Sequence, residues 1–201
     1  MSADQEVAPT HEPEREDGPR IYVASLSDYN AGILHGRWIG ADQAAEEIHE
    51  DIAGMLADSP TTRRYGEVAE EWAIHDYEGF GPVRLGEYER IEQVAALARG
   101  IVAHGDAFAA WWAMDPPSET DDDELESSFE EHYLGEYGSV EEYAEQMLED
   151  LGIDVDDLPG VPEGIRPYVR VDVEAYARDL QMGGDISTVE STRGVYVFWG
   201  V

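Results

Sequence analysis

The sequence predicts an α+β protein, arranged as an elongated chain of three small domains, and three observations lead to this prediction. Segments rich in β-branched and aromatic residues occur near both ends of the chain, whereas helical periodicity dominates the residues between them. The 201 residues include 46 acidic and 12 basic ones, a net charge of −34, and self-repulsion of that size favours an extended shape. Five Trp, eleven Tyr and four Phe residues favour a folded chain over a disordered one.

An N-terminal domain with a small antiparallel sheet and a helix is predicted over residues 21–84. Residues 1–20 contain three prolines and few apolar side chains, so we expect them to form a disordered acidic tail. Ile48, Ile52 and Met55 form the apolar stripe of the helix, and Asp42 is a suitable cap for its first turn. The predicted segments are strands at 21–26, 34–39 and 71–77, a turn at 28–32, a helix at 42–58 and a loop at 58–70.

A central helical domain is predicted over residues 85–135 and a C-terminal α+β domain over residues 136–201. Ser139 and Glu142 have the spacing of a capping box, which predicts the start of a regular helix. Trp111 lies in a short apolar helix that Asp106 can cap, and such a residue is typical of a core or an interface. The first predicted helix of this part carries the apolar stripe from Ile91 to Ile101 and stops at Gly105. The other predicted helices are 107–114, 122–133, 139–151 and 172–182. The predicted strands are 186–190 and 195–198.

The acidic residues are concentrated in one part of the chain. All 12 basic residues are arginine, and none occurs between Arg99 and Arg166, where 66 residues carry 20 carboxylates. Such a surface repels phosphates and anionic lipid headgroups, which argues against nucleic acids and membranes as partners. A positively charged protein surface is the partner that this charge favours.

The density of the acidic residues resembles that of phosphates along DNA. A helix over 139–151 is about 18 Å long, and one strand of B-DNA carries about five phosphates over that length. Five carboxylates lie on the solvent side of that predicted helix. We therefore take the acidic faces of three predicted helices as the candidate target-binding surface. Its residues are Glu46, Glu47, Glu50, Asp51, Asp121, Asp122, Asp123, Glu124, Glu126, Glu130, Glu131, Glu141, Glu142, Glu145, Glu149 and Asp150.

Three simpler interpretations of the acidity remain open. Halophilic adaptation keeps proteins soluble in concentrated salt, although it should spread acidic residues over the whole surface. A solvated acidic surface without a function is the usual meaning of a short run of charge. A Ca²⁺-binding surface at 121–124 and 154–157 is the third, although neither segment has the spacing of an EF-hand.

No constellation of catalytic residues is recognisable, so we expect no enzymatic activity, no metal and no cofactor. His49 begins a string like that of zinc proteases, but Ala53 stands where the second histidine belongs. His35, His49 and His75 could approach one another, although a histidine on a small sheet is more often a packed residue than a ligand. The absence of cysteine and of any long apolar stretch is consistent with a cytoplasmic protein.

Several strings of residues are specific enough to indicate a family. In the N-terminal half they are Ile21-Tyr-Val-Ala-Ser-Leu, Leu34-His-Gly-Arg-Trp-Ile39 and Glu71-Trp-Ala-Ile-His-Asp-Tyr-Glu-Gly-Phe80. In the C-terminal half they are Ser139-Val-Glu-Glu-Tyr-Ala, Leu148-Glu-Asp-Leu-Gly152 and Glu174-Ala-Tyr-Ala-Arg-Asp-Leu180. In these strings the chain resembles the ArdA antirestriction family over nearly everything after residue 20.

The resemblance implies an elongated three-domain protein, not an enzyme, that forms a homodimer through its C-terminal domain. It implies a DNA mimic that occupies the DNA-binding groove of type I restriction-modification enzymes, the methylase–specificity complex, and so protects incoming plasmid or transposon DNA. The helix over 139–151 lies where the family has its antirestriction motif, and its apolar residues Tyr143, Met147 and Leu148 are candidates for the dimer interface. An acidic, chaperone-like protein that binds basic DNA-binding proteins is the alternative function, and a hydrolase using His35 or His75 is a third.

Overall fold

The computed structural model describes residues 18–66, 68–118, 121–153, 158 and 160–200, and it shows an α+β chain with two small antiparallel sheets. The predicted tail lies outside the described residues up to residue 17, whereas Arg20 already begins the first strand. Within these ranges, every helix is too short or too polar to cross a membrane. The elements in chain order are β1 (Arg20–Ser25), α1 (Leu26–Asn30), β2 (Gly36–Gly40), α2 (Ala45–Ala57), α3 (Pro60–Tyr65), β3 (Trp72–Glu78), α4 (Ile91–His104), α5 (Asp106–Met114), α6 (Asp122–His132), β4 (Tyr133–Tyr137), α7 (Val140–Asp150), a 3₁₀ helix (Arg166–Tyr168), α8 (Val173–Gly183), β5 (Ile186–Glu190) and β6 (Val195–Trp199).

The first sheet has the order β2-β1-β3, and both outer strands run antiparallel to β1. Side chains alternate along β1, which buries Ile21 and Val23 on one face. Helix α2 packs against this sheet and buries its apolar stripe, Ile48, Ile52 and Met55, in the same core. The predicted unit of two strands, a helix and a third strand is therefore confirmed.

The short helices α1 and α3 replace the turn predicted at 28–32 and the loop predicted at 58–70. Asp28 in α1 is completely buried, and its carboxylate accepts hydrogen bonds from the Ser59 hydroxyl over 2.7 Å and the Thr61 N–H over 2.8 Å. Ser59 is also the N-cap residue of α3. The prediction of a loop was wrong because Asp28 stabilises α3 from 31 positions away, a contact that no local pattern contains. Helix α1, by contrast, begins at a local cap, the Ser25 hydroxyl, which accepts a hydrogen bond from the Asp28 N–H.

Two predicted caps are also corrected. Ala44, not Asp42, is the N-cap residue of α2, and the Ala44 N–H donates to the carboxylate of Glu47 over 3.2 Å. Gly105, not Asp106, is the N-cap residue of α5, and it also ends α4 as predicted. Its φ of +69° lies in the region that favours glycine, which explains why the chain changes direction there.

Helices α4 and α5 pack closely, and Gly100 permits the close approach. A Cβ at Gly100 would lie 2.2 Å from the ring of Phe108, so a larger residue would push the helices apart. Trp111 is buried beside Phe108, which confirms the core as its place, and Trp112 is buried there with it. The same buried cluster includes Ile21, so the first sheet and the central helices share one core. The division into three domains remains a prediction.

The second sheet has the order β4-β6-β5. Strand β4 is a correction, because α6 ends at His132, and Tyr133, predicted as the last residue of that helix, pairs instead with Phe198 of β6. Adjacent residues of β6 point to opposite faces, so Phe198 lies in the first core and Val197 in a second core with α7 and α8. Strand β6 therefore connects the two cores.

Candidate acidic binding surface

Helix α2 carries the first group of predicted target-binding residues. Its apolar stripe faces the first sheet, so the opposite side lies in solvent. The exposed carboxylates on that side are Glu46, Glu47 and Glu50. Asp51 is half-buried instead, because Gln43 donates a hydrogen bond to it over 3.2 Å and Arg37 lies 3.9 Å away.

Helix α6 carries the second group, and its sequence fixes both its start and its exposed side. Asp121 is the N-cap residue, and its carboxylate accepts hydrogen bonds from the N–H groups of Asp123 over 3.1 Å and Glu124 over 3.3 Å. Leu125 and Phe129 are buried, which leaves the charged residues around them in solvent. The exposed carboxylates of this group are Asp121, Asp122, Asp123, Glu124, Glu126, Glu130 and Glu131.

Arg99 of α4 holds the α2 and α6 groups in place relative to each other. Its guanidinium donates to both carboxylate oxygens of Asp122, over 2.7 and 2.8 Å, and to the carbonyl oxygen of Gln43 over 3.0 Å. Gln43 precedes α2, Asp122 begins α6, and α4 packs against both helices. This pair compensates the charge of Asp122, so Asp122 contributes less to the surrounding field than its neighbours do.

Helix α7 carries the third group and packs against the second sheet. Ser139 accepts a hydrogen bond from the Glu142 N–H over 3.2 Å, but the Glu142 carboxylate accepts from the Gly138 N–H over 2.6 Å rather than from Ser139. Hydrogen bonds from its own N–H and from Ser139 lower the pKa of Glu141, so this carboxylate stays ionised further into acid. The exposed carboxylates of this group are Glu141, Glu142, Glu145, Glu149 and Asp150.

The apolar side of α7 faces the second core of the chain itself. Tyr143 and Leu148 are buried, and Tyr143 packs edge-on against Tyr137 with 5.2 Å between ring centroids. Met147 is half-buried, and its sulfur accepts a hydrogen bond from the Tyr176 hydroxyl over 3.6 Å. These residues stabilise the fold of one chain, and their place in a dimer interface remains a prediction.

A groove of about 520 Å³ lies beside α2, between the first turn of α4 and the residues that lead into β3. Glu70 and Glu71 line it and are exposed, and neither has an ion-pair partner among the described residues. Tyr88 also lines it and is 72% exposed. Sequence patterns do not predict this groove, although the adjacency of Glu70, Glu71 and Trp72 places two carboxylates beside an aromatic residue.

The three histidines of the N-terminal part have separate surroundings. His35 contacts a backbone carbonyl over 2.7 Å, His49 lies 3.9 Å from a glutamate, and His75 packs edge-on against a tyrosine ring at 5.0 Å. No group of three or more metal-ligating side chains occurs in the described ranges. The segment 154–157, one of the two alternative calcium sites, lies outside those ranges.

Comparison with known proteins identifies one relationship. A family model described as "Antirestriction protein (ArdA)" matches residues 21–195, which is most of the chain. The match begins in β1 and ends at the first residue of β6, so it includes nearly all of the first sheet, strands β4 and β5 of the second sheet, and the helices between them. No curated protein matches the sequence.

Proposed function

Because the chain belongs to the ArdA antirestriction family, we propose that it inhibits type I restriction-modification enzymes as a protein mimic of DNA. Membership of this family of inhibitor proteins implies an antirestriction function and an interaction with type I restriction enzymes. The proposal adds the mechanism: surface carboxylates take the place of phosphates and compete with DNA for its binding groove. The partner is the methylase–specificity complex of such an enzyme, and the inhibitor acts on it in the cytoplasm.

The uncompensated charge on α2, α6 and α7 is the observation that carries the proposal. All predicted target-binding carboxylates except Asp51 are exposed. Of this set, Asp51 and Asp122 alone form an ion pair with an arginine in the described part of the chain. Unpaired carboxylates at this density repel one another, and a groove lined by Arg and Lys would relieve that repulsion.

The energetics of such a complex would resemble those of protein–DNA binding. A phosphate backbone releases condensed counterions when a basic groove neutralises it, and this release drives association. A dense surface of carboxylates gains affinity in the same way, without any base-specific contact. The same charge repels nucleic acids, so the protein would compete with DNA without binding it.

We further propose that two copies associate through the C-terminal part of the chain. Large apolar side chains are exposed there, at the end of α7, in the 3₁₀ helix and at the end of α8. They are Leu151 at 63%, Tyr168 at 85% and Met182 at 81% exposure. Contact with a second copy would remove this apolar surface from water and would double the number of carboxylates that one particle presents.

A competition assay tests the proposed function. A purified type I methylase–specificity complex is first bound to a labelled duplex that carries its recognition sequence, and the protein is then titrated in at constant salt. We expect the duplex to be released while the protein itself does not bind it. A duplex that stays bound at saturating protein would refute the proposal. Equal displacement of DNA from an unrelated basic protein would favour the chaperone-like alternative.

A further inference from the structure

The groove between α4 and β3 combines carboxylates with apolar and aromatic surface. Leu26, Trp72 and Ile91 line it with apolar surface, and Tyr88 adds a ring that is 72% exposed. Carboxylates also line it, on the residues Glu70, Glu71, Glu89 and Glu92. A concave site with both aromatic and acidic groups is suited to binding an organic cation.

These carboxylates differ in how they are engaged within the chain. Glu89 accepts a hydrogen bond from the Gly86 N–H over 3.3 Å, and Glu92 lies 3.8 Å from Nε of Arg90 and 3.9 Å from Nε2 of His49. Glu70 and Glu71, by contrast, have no ion-pair partner among the described residues. The unpaired carboxylates of Glu70 and Glu71 therefore line the same groove as the exposed ring of Tyr88.

The guanidinium group of arginine matches this combination. It is planar and always charged, it can donate two parallel hydrogen bonds to a carboxylate, and it stacks on aromatic faces. The groove volume of about 520 Å³ lies in the range of pockets that bind small molecules, so the groove has room for an arginine side chain. Imitation of phosphate requires negative charge alone, whereas an arginine side chain can use the ring as well as the carboxylates.

We infer that this groove binds a short arginine-containing segment of a basic protein partner, with one arginine against Tyr88 and its guanidinium on Glu70 and Glu71. The inference rests on the proposed function, because it adds a discrete arginine contact to the distributed charges of the helices. Arg90 is the arginine that lines the groove, and it lies beside Glu92, a carboxylate that an incoming arginine would otherwise use.

Peptide binding tests the groove without any restriction enzyme. A blocked tri-arginine peptide is titrated into the full chain at low salt by calorimetry, and a blocked tri-lysine peptide serves as the comparison. Tri-arginine should bind about threefold more tightly, since stacking on the ring adds to the charge. Tyr88→Ala should abolish that preference, whereas Tyr65→Ala, at a site that is 61% exposed, should retain it. No preference in the unmodified protein, or a preference that survives Tyr88→Ala, overturns the inference.

A gain of affinity provides a second test. Arg90→Gln and Arg84→Gln remove the same charge from exposed positions, but only Arg90 lies in this groove. Arg90→Gln removes the arginine beside Glu92, so it should bind tri-arginine about twofold more tightly than Arg84→Gln does. Equal affinities of the two variants contradict the inference.

The enzyme-binding assay separates this inference from the proposed function. If the unmodified protein does not displace DNA from the methylase–specificity complex, the proposed function fails, whatever the peptides do. If it does, Glu70→Gln/Glu71→Gln is compared with Glu130→Gln/Glu131→Gln, which has the same net charge. A loss of affinity about fivefold larger for the first pair supports the groove. Equal losses overturn the groove and leave the mimicry of DNA intact.

Discussion

The guanidinium of Arg99 donates hydrogen bonds to both carboxylate oxygens of Asp122, and this pair joins α4 to the first turn of α6. The same guanidinium donates to the carbonyl oxygen of Gln43, so the chain segments before α2 and at the start of α6 meet at one side chain. Arg99 is also the last basic residue before the arginine-free stretch. It therefore positions two of the three acidic helices, α2 and α6, and neutralises only one of their carboxylates.

Arg99→Ala should destabilise the chain by about 1–2 kcal/mol, because it removes a bidentate contact that is only partly exposed to solvent. Urea unfolding followed by circular dichroism measures this loss. Arg63→Ala is the matched control, since its pair with Asp58 is exposed on both sides and should contribute less than about 0.5 kcal/mol. Equal losses in the two variants would show that Arg99 does not organise the helices.

Asp28→Asn should destabilise the chain by about 1–3 kcal/mol, because it replaces a buried charged acceptor of two hydrogen bonds with a neutral one. Burial raises the pKa of Asp28, but hydrogen bonds from Ser59 and Thr61 outweigh it and hold this pKa well below its ordinary value. A depressed pKa in the folded state stabilises the protein fully above the pKa of the unfolded chain, about 4. That contribution is lost as the pH falls through the folded pKa.

The pH dependence of this effect is measured as the difference in unfolding free energy between the unmodified chain and Asp28→Asn. The difference should be constant between about pH 7 and about pH 5 and should narrow below about pH 4. Comparison of the two proteins cancels the titration of the other carboxylates. A difference that stays constant into strong acid would contradict the assigned state of Asp28.

Affinity for a type I methylase–specificity complex should fall steeply as the salt concentration rises. If six or more carboxylates act as phosphates, an increase from about 50 to about 200 mM salt should weaken binding by about 10³-fold. Direct titration with labelled inhibitor is the appropriate measurement, because competition with DNA adds the salt dependence of DNA binding itself. An affinity that is unchanged over this range would exclude the electrostatic mechanism.

The triple variant Glu141→Gln/Glu145→Gln/Glu149→Gln should weaken binding gradually, by about tenfold, because it removes three charges from a distributed surface. The same titration measures the loss, and its salt dependence should become shallower. Circular dichroism and the oligomeric state serve as controls for an intact protein. Complete loss of binding with both controls unchanged would indicate a discrete hot spot on α7 instead.

Met182→Glu should shift the proposed dimer towards monomer, since it places a charge on an apolar side chain that is 81% exposed in one chain. Sedimentation equilibrium measures the change, and an unchanged melting temperature at low protein concentration shows that the fold is intact. Val102→Glu, on a residue that is 59% exposed in α4, is the control outside the C-terminal part. If both variants dimerise like the unmodified chain, the interface does not include Met182.

Local patterns predict most of the secondary structure, and two of the errors, at β4 and α3, occur where distant contacts decide. Tyr133 continues the four-residue spacing of Leu125 and Phe129, so the sequence alone predicts that α6 is one residue longer and does not predict β4. Its pairing with Phe198, far along the chain, ends the helix at His132. Helix α3 is missed for the same reason, because a buried carboxylate on α1 supports its first turn.

The exposed side of each acidic helix also follows from periodicity, since burial of one face leaves the charges on the other. The contact between Arg99 and Asp122 does not follow from it, because 23 positions separate them and the packing of α4 on α6 brings them together. The half-burial of Asp51 depends in the same way on Arg37, which belongs to a neighbouring strand. The role of these carboxylates in binding stays a prediction.

The order of strands in the second sheet has a consequence for synthesis. Strands β4 and β5 both pair with β6 and not with each other, and β6 comes after both in the chain. During synthesis on the ribosome, α7 and α8 are therefore both made after β4 and before β6, the strand with which β4 pairs. When β6 arrives, it completes the C-terminal core and also inserts Phe198 beside Tyr133, with 5.5 Å between their rings. A chain cut short before Val195 thus loses an entire sheet rather than a single strand.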